Sequence, residues 1–405
     1  MEPVEILKSN FFKLSALGFF VILMIISMLL FLTDPEVEEK ISFPEVNKDE
    51  EIEQFVGAPT SLEPTEITDT EKNTLLESLS NPDPKFSRYQ NVSSADLNLE
   101  ALSEPRTGTN GPQPTEGQFR TLCQHSHFNY DDPIVFPGEP GASHLHMYFG
   151  NTAVNYATTT ESLINTGGGT CQGFEANRTG YWMPALLDGD GNVVVPDSII
   201  VYYKSKKVGQ TESEMPQGLK MVAGNTEDAS FTHSSYLKWG CGSNGQEETK
   251  EGNTIPACPG DEMHAIISFP NCWDGKNLDS QDHRSHMTRS HNDPCPSTHP
   301  VRLPMVTYLV YWPGVSNVSG WHISSDGEHH RGSGGTPGST LHADWYGGWN
   351  NEVMRQWTQG CIIASQNCSQ GQTGLNTKQL KKVSNLNNYT GNNYLKLPEG
   401  SYQPH

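Results

Sequence analysis

Basic residues are scarce in this chain of 405 residues. Lysine and arginine together number 26 against 47 aspartates and glutamates, which gives a formal net charge of -21. A protein that binds nucleic acid needs a basic surface to neutralise phosphates, and anionic bilayers likewise attract basic patches. The charge balance therefore argues against nucleic acid as a partner and against electrostatic adsorption to an anionic membrane.

Long apolar runs are absent as well, apart from one near the N-terminus. The run from Leu14 to Thr33 carries no charge over about 20 residues, enough to cross a bilayer as a helix. Lys8 and Lys13 precede it, so the positive-inside rule leaves residues 1–13 in the cytoplasm. A cleaved signal peptide fits less well, because no small-x-small site follows. We therefore predict a signal-anchored, single-pass membrane protein whose globular domain is periplasmic or extracellular.

The chain has no Cys-x-x-Cys pair, which argues against a zinc ribbon or a thioredoxin-like motif. Its eight cysteines all follow residue 115, and an even number in an exported domain is typical of disulfide bonds. The sequence does not determine their connectivity. Pairing of sequential neighbours is our expectation, above all of Cys361 with Cys368.

The charge is concentrated directly after the apolar run. Between Asp34 and Glu71, 13 acidic residues stand against two lysines, and prolines recur without a sustained apolar period. Such composition predicts a disordered, extended stalk over residues 34–115. Tryptophan, glycine, cysteine and histidine become frequent from about Phe119, so we place a globular domain at residues 116–368 and a tail at residues 369–405.

Long helical periods are missing from the globular region, although Glu352–Gln359 has room for two helical turns. Short β-branched and aromatic runs, separated by Gly, Asn, Asp and Pro, predict strands at Tyr181–Leu187, Val193–Val195, Ser198–Tyr203, His264–Phe269, Val306–Trp312, Gly320–Ser324 and Cys361–Ala364. We predict a mainly β fold, a single antiparallel β-sandwich or jelly-roll-like domain with long disulfide-stapled loops, preceded by one transmembrane helix.

Two histidines, His144 and His146, stand two residues apart in the stretch from Gly141 to Asn151. If this stretch is extended, both imidazoles point to the same side of the sheet. This spacing suits a site for a divalent metal ion. Hydrogen-bonded histidines without a metal are the alternative reading of the same pattern.

Ionisable side chains are dense in the stretch CWDGKNLDSQDHRSH, from Cys272 to His286. Its glycine, asparagine and aspartate content predicts a loop, and loops on a rigid scaffold often carry function. The candidate catalytic residues are Asp274, Lys276, Asp282, His283 and His286, with Arg284 as a candidate substrate-binding residue. A structural polar network around Cys272 and Cys295 would explain the same residues, and the sequence leaves this choice open.

Two further stretches add candidates. His299 and Arg302 directly precede an apolar strand and are candidate substrate-binding residues. Farther along, His342 and Asp344 are candidate catalytic residues that share one side of an extended strand, where a carboxylate orients an imidazole and raises its basicity. Trp345 and Trp349 are candidate sugar-binding residues or, equally, core residues.

These stretches, in this order, resemble one family, catalogued as domain of unknown function number nineteen-ninety-six. The resemblance runs from about Phe119 to Trp349 and is carried by the DPIV-PG-SHLH pattern from Asp132 to His146, by YWMPAL, by CWDGKNLDS, by CPSTHPVRLP and by HAD followed by GGW. The family occurs in secreted fungal proteins, often beside carbohydrate-binding modules for the cell wall, and in bacteria. The resemblance therefore implies work on cell-wall or extracellular polysaccharide and brings no established reaction.

Three hypotheses follow. The first is a hydrolase or lyase that acts on polysaccharide through a His/Asp-rich cleft. The second is a metal-dependent enzyme in which His144 and His146 are joined by a third ligand such as His342 or Asp344. The third is a carbohydrate-binding surface module without catalysis, displayed on the stalk.

Overall fold

The computed structural model describes residues 91–107, 116–205, 211–224, 236–242, 250–252, 254–290, 293–326, 336–374, 378–383 and 394–395. The predicted membrane anchor and most of the predicted stalk lie outside these residues. Among the described helices, none is long and apolar enough to cross a membrane.

Strands dominate the described part of the chain, and two short α-helices accompany them there. The strands are β1 Ser103–Pro105, β2 Gln118–Cys123, β3 His125–Asn129, β4 His146–Gly150, β5 Gly180–Pro184, β6 Leu186–Leu187, β7 Val193–Val194, β8 Ser198–Lys204, β9 Lys220–Gly224, β10 Leu237–Cys241, β11 Lys250–Gly252, β12 Met263–Ser268, β13 Cys272–Trp273, β14 Met287–Thr288, β15 Val301–Arg302, β16 Met305–Trp312, β17 His322–Ile323, β18 His342–Tyr346, β19 Lys378–Leu380 and β20 Tyr394–Leu395. The helices are α1 Thr160–Asn165 and α2 Asn351–Trp357.

Two antiparallel sheets form the centre of the fold. One has six strands in the order β11-β10-β12-β16-β8-β2, and the other has five in the order β3-β4-β5-β18-β9. Every pairing inside both sheets is antiparallel. Smaller sheets of two, three and four strands flank them. The prediction of a mainly β, antiparallel fold is confirmed.

One hydrophobic core draws side chains from both large sheets. Val201 and Tyr308 come from the six-stranded sheet, and Met147, Tyr181 and Trp345 come from the five-stranded sheet. Because side chains alternate along a strand, the neighbours of these residues in the five-stranded sheet point away from this core. A second, smaller apolar cluster lies on that opposite face.

The disulfides follow the expected neighbour pairing. Cys123 joins Cys171, Cys241 joins Cys258, Cys272 joins Cys295 and Cys361 joins Cys368. The third bridge closes the base of the ionisable loop, since Cys272 begins β13 and pairs across the sheet with Arg302. This loop is thus held on a covalent frame.

The strand predicted at Cys361–Ala364 is wrong. Helix α2 runs directly into a π-helical turn at Thr358–Ile363, so the chain stays helical where two isoleucines had suggested a strand. A short apolar run fits a buried helix as well as a buried strand, and here Cys361 and Ile362 are buried on the helix. The helix at α2 itself agrees with the predicted turns. Past Cys368, Leu380 still joins the main core.

The Tyr203 hydroxyl organises the aromatic part of the core. It accepts hydrogen bonds from the indole N–H groups of Trp345, at 3.3 Å, and Trp349, at 2.9 Å. We expect Tyr203→Phe to lower the free energy of unfolding by about 2 kcal/mol, because two buried donors lose their acceptor. Urea denaturation measures the change. Tyr202→Phe, on the other face of β8, is the control and should shift stability by less than about 0.5 kcal/mol; equal effects would contradict this account.

Candidate functional site

Strand alternation brings ionisable side chains together on the outer face of the five-stranded sheet. His146 lies on β4, while His342 and Asp344 lie on β18, with β5 between the two strands. His144 directly precedes β4, and Asp132 comes from the turn after β3. We call these five residues the His–Asp cluster. All except the partly exposed His144 are buried, and the Nε2 atom of His144 is itself buried.

The three imidazoles of the cluster face one another. The ring centroids of His144 and His146 are 4.2 Å apart, and those of His144 and His342 are 5.0 Å apart. Their three potential ligand atoms lie within 4.8 Å of one another. The Nδ1–H of His146 donates to the carbonyl of Asp131 at 3.2 Å, and that of His342 donates to the carbonyl of Thr340 at 2.7 Å. Both rings are therefore held with Nε2 directed away from their backbone acceptors.

Two carboxylates also lie close to His146. Asp132, His146 and Asp344 form a second set whose ligand atoms are within 4.8 Å of one another. Oδ1 of Asp132 accepts the backbone N–H groups of Ile134 at 2.8 Å and Val135 at 3.0 Å. Neither carboxylate oxygen of Asp344 has a hydrogen-bond partner, although both are buried.

Burial shifts the pKa of each group in the cluster. It lowers the pKa of His146 to about 3, with a contribution from His342, and the pKa of His342 to about 4. Burial and the neighbouring His146 hold the pKa of His144 well below its usual value. For Asp344, burial and then Asp132 raise the carboxyl pKa well above its usual value, against the charge of Arg284. At neutral pH the imidazoles are neutral and keep a lone pair available.

The residues Asp279–His286, which we call the Arg284 loop, dock on β9. Nζ of Lys220 donates to Oδ2 of Asp279 at 3.1 Å, and Nδ1 of His283 lies 2.9 Å from Oδ1 of the same carboxylate. Nε2 of the buried His286 donates to the carbonyl of Lys220 at 2.7 Å. These contacts fix both ends of the loop against one strand.

The loop brings Arg284 to the edge of the cluster. Its Nη1 donates to the carbonyls of Val222 and Gly224, both at 3.4 Å, and these residues pair with Asp344 and His342 across β18. The preceding residue, His283, has a φ of 55°, in the left-handed region that residues other than glycine seldom adopt. Such a conformation persists only where the surrounding contacts hold the backbone in place, as the Asp279 and Lys220 contacts do here.

The glycine at position 224 is required by this arrangement. Its φ is +94°, and an added Cβ would lie 2.4 Å from the Leu341 carbonyl oxygen and 2.7 Å from the Cα of His342. A side chain here would push β18 away from β9 and displace His342. The absence of a side chain at Gly224 therefore allows β9 and β18 to pack closely enough to position His342.

Two predicted catalytic aspartates hold their own loop. Asp274 accepts N–H groups from Lys276 and Asn277, and Asp282 accepts those of Arg284 and Ser285. Hydrogen bonds from Ser285 and Ser280 lower the pKa of Asp282, which is fully exposed. Lys276 is exposed on the outer part of the loop, away from the buried cluster. A polar network within the loop thus accounts for Asp274 and Asp282, and also for His283, whose Nδ1 contacts Asp279.

The other sequence candidates lie apart from the cluster. His299 is exposed, with Nε2 donating to the carbonyl of Ser285 at 2.9 Å, and Arg302 is buried beside Cys272. Trp345 and Trp349 are buried in the core and bond to Tyr203, so neither ring offers a face to a ligand. Both tryptophans therefore match the alternative interpretation of them as core residues.

Sequence reasoning overlooked one cluster residue, Asp132. An aspartate directly before a proline looks like an ordinary turn residue, and the Asx-type hydrogen bonds of Asp132 are indeed those of a turn. The signal that could have found it is its place at the head of the DPIV pattern quoted with the family resemblance.

The fold and the cluster define a disulfide-bonded, mainly β protein with a buried His–Asp site. A family model described as Domain of unknown function (DUF1996) matches residues 132–349, more than half of the chain. The chain belongs to this family. The match begins at Asp132 and ends beyond Asp344, so it spans the whole His–Asp cluster. No curated protein and no solved structure matched the chain.

The attachment of the Arg284 loop should depend on pH. Burial would raise the pKa of Asp279, but hydrogen bonds from His283 and Lys220 outweigh burial and lower it. A carboxyl with a depressed folded pKa stabilises the fold above the unfolded pKa of about 3.9 and loses this effect as the pH falls through the folded pKa. Asp279→Asn should therefore cost about 1 kcal/mol near neutral pH and progressively less below about pH 4.

Urea denaturation of the wild type and the variant over this pH range measures the difference. Asp190→Asn, at an exposed hairpin residue, serves as the control and should show no such trend. A destabilisation by Asp279→Asn that stays constant from neutral to acid pH would contradict the ionic account of the loop.

Proposed function

We propose that the chain is an enzyme that cleaves polysaccharide outside the cytoplasm, as a hydrolase or a lyase, with the His–Asp cluster as its active site. The observation that carries this proposal is the convergence of three imidazoles and two carboxylates, all but His144 buried, with unpartnered buried atoms on His144, His146 and Asp344. Buried polar groups are normally satisfied, and groups with strongly shifted pKa values concentrate at functional sites.

The compartment and substrate class are supported by the chain's own chemistry and by its family. Four disulfide bonds fit an oxidising compartment outside the cytoplasm. Members of the family are secreted and often accompany modules that bind the cell wall, which favours a polysaccharide over a small metabolite. Arg284, next to the cluster, suits a substrate that carries or develops negative charge.

A non-catalytic binding module explains the cluster less well. Sugar binders rely on exposed aromatic faces, and Trp345 and Trp349 are instead committed to the core. Burying histidines and carboxylates whose polar atoms have no partner costs free energy. A surface that only binds sugar gains nothing from such burial. Catalysis gives them a use, in proton transfer or in polarising a substrate oxygen.

A panel of neutral, acidic and amino polysaccharides tests the proposal. The full-length chain, kept in mild detergent, should release reducing ends if it is a hydrolase, or unsaturated sugars if it is a lyase. Asp344→Asn should lower the rate by at least about 100-fold, the order of effect expected for a group engaged in proton transfer. Asp190→Asn is the matched control and should retain full activity. Absence of product from every polysaccharide would refute the proposal.

We also infer that residues 14–33 anchor the protein in a membrane and that the six- and five-stranded sheets are the two layers of a sandwich. The uncharged run supports the anchor, and the core shared by both sheets supports the sandwich. The full-length chain should stay in the membrane fraction after an alkaline wash. Its release into the supernatant would argue against the anchor.

A further inference from the structure

We propose that His144, His146 and His342 bind one divalent transition-metal ion. Their ligand atoms already lie within 4.8 Å of one another. A tetrahedral zinc site, with Zn–N distances of about 2.0–2.1 Å, needs its nitrogens roughly 3.4 Å apart, so small ring movements would complete the set. The Nε2 atoms of His144 and His146 are buried and have no hydrogen-bond partner, and His146 is 0% exposed.

The second contacts of the rings match those of metal ligands. A ligating histidine commonly donates its other ring N–H to a carbonyl or carboxylate, which fixes the tautomer and the ring orientation. His146 and His342 do this through the carbonyls of Asp131 and Thr340. Each ring is therefore held with the Nε2 lone pair free for a cation, before any ion arrives.

His146 also belongs to the set with Asp132 and Asp344, but it can serve only one set at a time. Its Nδ1 carries the proton given to Asp131, so Nε2 offers a single lone pair. In the carboxylate set, Oδ1 of Asp132 already accepts two backbone N–H groups. The imidazole set instead offers three nitrogens, two of which are buried without a partner, so we assign the single ion to His144, His146 and His342.

The ligand chemistry selects the kind of ion. Imidazole nitrogens suit Zn²⁺, Cu²⁺, Ni²⁺ and Fe²⁺, whereas Ca²⁺ and Mg²⁺ prefer oxygen ligands. Three protein ligands leave a coordination position open, as in catalytic rather than structural metal sites. His144 is partly exposed whereas His146 and His342 are buried, so we expect solvent and substrate to approach from the side of His144. Such an ion would polarise a substrate oxygen or activate water.

This inference rests on the same cluster as the proposed function, but it is measured without substrate. If the chain cleaves polysaccharide but binds no metal, the metal site is refuted and the proposed function stands. If the chain binds the ion tightly but cleaves no glycan, the metal site stands and the proposed function is refuted.

Binding of Zn²⁺ and Co²⁺ to the full-length, chelator-treated chain tests the site. Calorimetry should give one Zn²⁺ per chain, and Co²⁺ should develop the visible absorption of nitrogen coordination. We expect His146→Gln and His342→Gln each to weaken Zn²⁺ binding by at least about 100-fold, as for the loss of a direct ligand. His264→Gln is the matched control, because His264 is equally buried and bonds through Nδ1 to the carbonyl of Gly242 at 3.1 Å, in the other sheet.

A second pair of variants tests whether the two carboxylates of the cluster are metal ligands. Asp132→Asn and Asp344→Asn should weaken Zn²⁺ binding by less than about tenfold, because neither carboxylate is a ligand in this assignment. Unfolding curves without metal verify that each variant is folded. The assignment is overturned if these two variants abolish binding while His342→Gln retains it, if Ca²⁺ displaces Zn²⁺, or if the folded wild type binds no Zn²⁺.

Discussion

The alternation of side chains along the five-stranded sheet is the constraint on which the rest of the structure depends. On β18, Ala343 and Trp345 point into the main core, and His342 and Asp344 point to the opposite face. The same division on β4 sends Met147 inward and His146 outward. A shift of one residue in either register would exchange the two sets, placing carboxylate and imidazole in the aromatic core.

The outer face of this sheet is unusual because it is buried and yet carries both apolar and ionisable side chains. Tyr148, Trp182, Val222 and Tyr346 form an apolar cluster on it, next to the His–Asp cluster. Aromatic neighbours lower the local dielectric and amplify every charge among them. Burying four ionisable side chains of the cluster costs free energy, which the aromatic core and four disulfide bonds offset. Natural proteins accept such a cost chiefly at functional sites.

The sequence predicted the parts of the site that follow local periodicity. The two-residue spacing of His144 with His146, and of His342 with Asp344, placed each pair on one side of a strand, and the structure brings the pairs together across β5. The proximity of the two pairs depends on the order of the strands in the sheet, and local sequence patterns do not determine that order. Asp132 was missed for the same reason, since only the fold carries its turn to the cluster.

Loop residues were harder to interpret, because composition does not distinguish a carboxylate that holds its own loop from one that faces a ligand. Asp274 and Asp282 look like acids or bases in the sequence, yet they bond to neighbouring backbone N–H groups. The π-helical turn at Thr358–Ile363 shows a related limit. Its apolar residues satisfy a strand pattern, and only the helix before them decides the backbone conformation.

The Arg284 loop links the covalent frame of the fold to the electrostatics of the cluster. The Cys272–Cys295 bridge closes the base of the ionisable segment, and the contacts of Asp279 and His286 with Lys220 hold the Arg284 loop on β9. The charge of Arg284 opposes the rise in the pKa of Asp344 that burial causes. If the loop moved away, Asp344 would be left with Asp132 beside it and no nearby cation from the loop. The protonation of the buried carboxylates is therefore coupled to the docking of a segment that contributes no residue to the cluster itself. The left-handed backbone at His283 directly precedes Arg284, whose Nη1 donates to the carbonyls of Val222 and Gly224, so the docking of the loop and the position of this charge are set by adjacent residues.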